Sequence, residues 1–88
     1  MKRDRLEIIR DILLILQNNR PIKRTPLLRK SNLSSQRFLE YFKELLEKEL
    51  IIETTDSKGK KKISLTEKGS RYLEKYRTIV SFIDEFEL

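Results

Sequence analysis

Residues 33–66 read LSSQRFLEYFKELLEKELIIETTDSKGKKKISLT, and the fold turns on them. The first half carries Phe38, Phe42, Leu45 and Leu46 at helical spacing, which predicts a helix over 35–49 with one buried face. Ser34 stands where an N-cap belongs, and Leu33 before it is expected to pack inward. The outward set near the start of this helix is Ser35, Gln36, Arg37, Glu40 and Tyr41. At Leu50 the period changes: residues 50–54 are apolar and β-branched and read as a strand. Residues 56–60 have the composition of a hairpin turn, with Gly59 able to take positive φ. Residues 61–65 read as the returning strand, Ile63 and Leu65 alternating inward.

On the N-terminal side, Thr25 is a plausible N-cap and Pro26 a first helical residue for a short helix over 26–30 that buries Leu27 and Leu28. Ser31 and Asn32 break it, and residues 21–24 connect, with an edge strand at Ile22. Residues 3–18 predict a first helix. Leu6, Ile9, Leu13 and Leu16 form its apolar face, and Ile8, Ile12 and Ile15 widen that face enough to be buried on two sides. On the C-terminal side, Thr66 caps a last helix running to about Phe86. The order is helix, helix, helix, strand, basic turn, strand, helix. Two helices joined by a tight turn and followed by a hairpin define a mainly α (α+β) winged helix-turn-helix with a two-stranded β wing. Residues 1–66 are read as the nucleic-acid-binding domain and residues 67–88 as a helix belonging to the same compact unit.

Eighty-eight residues make one domain. A chain of this size buries only roughly 60–65 % of its unfolded surface, so the core is thin and association between copies is a natural remedy. Cysteine and histidine are both absent, which removes disulfides, thiolate metal sites and the commonest general base. No carboxylate pair stands beside a nucleophile or a glycine-rich phosphate loop, and no residues have metal-ligand spacing. The expectation is therefore a non-enzyme with no metal, no cofactor and no small-molecule substrate. Arg10 and Asp11 interrupt the apolar N-terminal stretch, so it is too short and too charged for a signal peptide or membrane span. A cytoplasmic, nucleoid-associated location follows as an expectation.

Charge is segregated along the chain. Lysine and arginine total 20 against 14 acids, a net charge of +6. Residues 12–39 hold no acid but carry Arg20, Lys23, Arg24, Arg29, Lys30 and Arg37, and residues 57–66 repeat the pattern with Lys58, Lys60, Lys61 and Lys62. Residues 40–56 and the last eleven residues are net acidic. A charge-rich surface alone would mix its signs, whereas segregation marks a face for a polyanion. Ser34, Ser35, Gln36, Arg37 and Tyr41 are expected to enter a major groove, Gln36 suited to adenine and Arg37 to guanine. Arg24, Arg29 and Lys30 are expected to hold phosphates, and Lys58 to Lys62 to run along the neighbouring backbone.

In the last helix Tyr72, Tyr76, Ile79, Ile83 and Phe86 recur at alternating spacings of four and three, a heptad seam flanked by Leu73 and Val80. Such a helix would project past a domain this small, and its apolar end would need a cover. This seam is expected to join two copies into a homodimer, in part against the wide first helix.

Residues 33–51, together with Leu65-Thr66-Glu67-Lys68-Gly69 and the long apolar helix after them, resemble the small archaeal winged-helix DNA-binding proteins. That family includes chromatin-type DNA binders and MarR-like regulators. The resemblance implies a homodimer through the C-terminal helix, contact with DNA through the third helix and the wing, and no cofactor. Family members carry glycine where Glu49 stands, which implies a different geometry at this helix end. The C-terminal helix is also shorter than in the chromatin-type members. The functional expectation is specific or semi-specific binding of double-stranded DNA, as a transcription regulator or chromatin-associated protein, by a two-fold dimer reading paired half-sites. RNA binding is the rival among nucleic acids, disfavoured for want of aromatics on a sheet. A protein-interaction adaptor is the rival outside them, disfavoured by the basic wing.

Overall fold

A computed structural model describes residues 4–88. Helix α1 spans Arg5–Asn18, α2 Arg24–Ser31 and α3 Ser35–Glu47; strands β1 (Ile51–Thr55) and β2 (Lys61–Leu65) form an antiparallel hairpin, and α4 spans Glu67–Glu85. The order matches the expected winged helix-turn-helix.

Helix α1 is the centre of the core. Ile8, Ile9, Ile12, Leu13 and Leu16 are all buried, and the helix packs against α2, β2 and α4. The two-sided burial expected from its wide stripe is thus realised. Its first turn differs. Asp4 is the N-cap, its carboxylate accepting the Glu7 N–H at 2.8 Å, while the expected start at Arg3 lies outside the described residues. Leu6, expected inward, is 51 % exposed, and Ile8 holds the core position.

Helix α2 begins two residues before the expected Pro26, and Lys23, not Thr25, occupies the N-cap without a side-chain hydrogen bond. Pro26 is tolerated because it lies in the first turn, where its missing N–H has no intrahelical acceptor. The connector before it carries the expected edge contact: Ile22 and Ile63 exchange backbone hydrogen bonds of 3.1 and 2.7 Å. The turn into α3 is closed by buried Ser31, whose hydroxyl donates to the Leu28 carbonyl at 2.6 Å and accepts from the Leu33 N–H. Asn32 follows in the left-handed region, which asparagine tolerates.

In α3, Phe38, Phe42 and Leu45 are buried, the two rings stacked with centroids 5.5 Å apart. The helix ends at Glu47, two residues before the expected end. Glu49 takes φ 60°, its N–H donating to the Leu46 carbonyl, and the Leu50 N–H donates to Leu45. This pair of bonds is the Schellman closure. The implied departure at Glu49 is therefore corrected: the chain keeps the glycine-type geometry with a side chain in place, because buried Leu45 and Leu50 fix both ends of the turn.

The hairpin pairs Ile51 with Leu65 and Thr55 with Lys61. Thr66 ties three elements together. Its hydroxyl donates to the Glu49 carbonyl at 2.7 Å and accepts the Gly69 N–H, capping α4, while its own N–H donates to Leu50. Gly69 packs so closely there that a Cβ would stand 2.3 Å from the Leu50 carbonyl oxygen. Beyond buried Leu73, α4 leaves the core; its length is about 28 Å, and the molecule measures 50 × 26 × 21 Å.

Candidate nucleic-acid interface

The start of α3 is exposed and ordered by its own cap. Ser34 accepts the Arg37 N–H at 3.3 Å, and Ser34, Ser35, Gln36 and Arg37 all face solvent. Short polar residues at a helix N-terminus permit close approach of a duplex, and the free N–H groups there favour a phosphate. Tyr41 is half-buried. It lines a polar recess of about 300 Å³ with Arg5, Arg37, Glu40 and Glu44, bringing the first turn of α1 beside α3. Arg5 was not among the sequence candidates, because its distance in the chain hides its ion pair with Glu44.

The α2 candidates divide. Arg29 and Lys30 are exposed in the last helical turn, where cations also suit the helix dipole. Arg24 is engaged within the fold: its guanidinium lies 4.5 Å over the Phe42 ring and 3.8 Å from the Glu53 carboxylate. It links α2, α3 and β1, leaving half its surface for an anion.

The wing is built around Asp56. One carboxylate oxygen accepts the Lys58 N–H at 2.8 Å and the Lys60 N–H at 3.0 Å, and Gly59 turns the chain at φ +76°. The Lys60 and Lys58 amides hold the Asp56 carboxyl below its ordinary value of 3.8, and the charges of Lys62 and Lys23 lower it further. Lys23 thus belongs to the electrostatic surroundings of the wing, a placement set by the Ile22–Ile63 bridge. Lys58, Lys60 and Lys61 are exposed and Lys62 half-buried. Strand alternation sends Lys61 and Lys62 to opposite faces, so the four lysines do not form one row.

The expected apolar seam of α4 is also divided. Tyr72 donates its hydroxyl to the Leu6 carbonyl at 3.1 Å, and Tyr76 stacks under Arg10 with the guanidinium 5.3 Å from the ring. Both tyrosines therefore face α1 of the same chain. Burial pushes the Tyr72 hydroxyl pKa up from 10.0. Farther along, Ile79, Phe82, Ile83 and Phe86 are 52, 54, 39 and 58 % exposed. Phe82 was not a sequence candidate; it lies one residue off the heptad positions but contacts Phe86, ring to ring, at 4.9 Å. Among the described residues no His, Cys, Asp and Glu cluster could hold a metal ion, and no helix is long and apolar enough to cross a membrane.

A helix pair joined by a tight turn, a basic hairpin after the second helix and a terminal helix define a winged helix-turn-helix. The chain belongs to the winged helix-turn-helix family, whose model matches residues 2–84. Its fold is similar to the crystal structure of Sso10a-2, a DNA-binding protein from Sulfolobus solfataricus, with a TM-score of 0.74 at 20 % identity. The match covers 97 % of this chain and 86 % of that one. No curated protein sequence matches the chain significantly.

Proposed function

We propose that the protein binds double-stranded DNA as a homodimer, α3 entering the major groove. The observation that carries this reading is the exposed start of α3, with Ser34, Ser35, Gln36 and Arg37 uncovered between a basic α2 and a basic wing. Arg37 pairs with guanine and Gln36 with adenine, while Tyr41 flanks them. Arg29, Lys30 and the free side of Arg24 hold phosphates. Lys58 and Lys60 at the hairpin tip contact the adjacent backbone, and Lys61 and Lys62 reach two different phosphate rows. That the similar Sulfolobus protein is a DNA-binding protein supports the same reading. The role proposed is regulation of transcription or chromatin association, carried out without chemistry and in the cytoplasm.

The dimer rests on Ile79, Ile83 and Phe86, with Phe82 added to them. Four large apolar side chains on one helical face, all exposed, suit a second copy of the same helix. The end of α4 bears Asp84 and Glu85, while residues 67–77 carry Lys68, Arg71, Lys75 and Arg77 against Glu67 and Glu74, so an antiparallel pair would bring an acidic end to a net basic stretch.

A fluorescence anisotropy titration against a random duplex tests the reading. Binding at low salt should weaken as salt rises, with a log–log slope of several units. No binding at low salt refutes it.

A further inference from the structure

The geometry points to Glu40 as the specificity-determining residue of α3: its carboxylate accepts a hydrogen bond from the exocyclic amine of a cytosine in the major groove. This inference rests on α3 being the recognition helix. Arg37, Glu40, Tyr41 and Glu44 are spaced three, four and seven along α3, which places them on one face, and together they line the polar recess beside Arg5. Glu40 is exposed on that face.

Two neighbouring carboxylates are neutralised. Glu44 meets Arg5 and Lys48, and Glu53 meets Arg24. Among the described residues no cation pairs with Glu40, although Arg37 shares its recess. Glu40 lies beyond the first turn, where the helix dipole adds little. Its exposed carboxylate shares the α3 face with Arg37 and Tyr41, the face proposed to enter the major groove.

Against DNA, an unpaired carboxylate is repelled by phosphates and lowers affinity for every sequence alike. It is compensated only by a donor on a base edge. The major groove offers the amines of cytosine and adenine, and adenine sets its N7 acceptor beside the amine, where a carboxylate is repelled. Cytosine is therefore the base that suits Glu40. The residue trades general affinity for discrimination, which places the protein with site-selective binders and away from uniform coats.

The test compares wild type with Glu40→Gln and Glu40→Ala, both expected to melt with the wild type because the side chain is exposed. Anisotropy on a random duplex measures general affinity, and enrichment from a randomised duplex pool measures preference. Both variants should bind the random duplex up to about tenfold more tightly. They should also lose a cytosine preference of about five- to tenfold that the wild-type pool displays. Unchanged or weaker binding to random DNA, or equal enriched sequences for wild type and variants, overturns the role of Glu40 while leaving DNA binding intact. Failure of the wild type to bind any duplex removes the recognition-helix reading itself.

Discussion

Glu49 holds a left-handed φ of 60° in the turn from α3 to β1, where a side chain costs about 1–2 kcal/mol and glycine costs less. The side chain is exposed and touches no partner that the turn needs. Glu49→Gly should therefore stabilise the protein by about 0.5–1 kcal/mol, a rise in Tm of roughly 2–8 °C. An unchanged or lower melting temperature would contradict the strain. Gly69 is the opposite case. A methyl there would press on the Leu50 carbonyl oxygen at 2.3 Å and the Leu65 side chain at 2.6 Å, and a backbone oxygen cannot swing away. Gly69→Ala should cost about 2–4 kcal/mol in urea denaturation, because it forces α4 off the hairpin. A cost near zero would mean that the helix can shift freely. Asp56 gives a pH dependence. Its carboxyl is held below 3.8 by the Lys60 and Lys58 amides, so the anion is the form that orders the wing. That order is complete above the ordinary carboxyl value and is lost as pH falls through the lower value in the folded protein. The Lys58 and Lys60 amide resonances should titrate with a midpoint below 3.8 in NMR spectra; a midpoint at or above it would remove the hydrogen bonds from the account.

Elements with one strong period were readable from the chain alone. Helix α3, the β2 strand, the Thr66 cap and the Gly59 turn follow from spacing and from residues with a single conformational role. The start of α2 was not, because Thr25 and Pro26 look like a helix start while a proline in the first turn is equally allowed. The left-handed Glu49 was hidden because tertiary packing of Leu45 and Leu50 overrides the local preference. At the candidate site, exposure of Ser34 to Arg37 was readable from helix periodicity, but the capture of Arg24 by Phe42 and Glu53 was not, since those partners are distant in sequence. The α4 heptad likewise concealed a division between tyrosines that face α1 and the apolar residues beyond them. That division makes the proposed dimer separable from the fold. Ile83→Asp should convert a dimer to a monomer in sedimentation equilibrium while leaving most of the helical circular dichroism of the chain in place. A variant that stays dimeric would move the interface elsewhere, and a monomeric wild type would remove it.

For the whole molecule, the basic segments and the apolar end of α4 occupy different parts of one elongated body. A two-fold dimer through α4 would present two α3 helices and two wings to one duplex, so that protected segments lie about one helical turn, or a multiple, apart. Replacing Lys58 and Lys60 by alanine should weaken binding to all sequences and reduce the salt slope by about one per lysine. An unchanged slope would place the wing off the DNA. Replacing Arg37 by alanine should cost roughly 1–3 kcal/mol at a preferred site and much less on random DNA. NMR titration of isotopically labelled protein with a duplex reads the proposed DNA-binding face residue by residue. The expected result is shift changes concentrated at Ser34 to Arg37, Tyr41 and Lys58 to Lys62, with Ile79 to Phe86 unmoved. Changes confined to α4, or absent from the start of α3, would contradict the account.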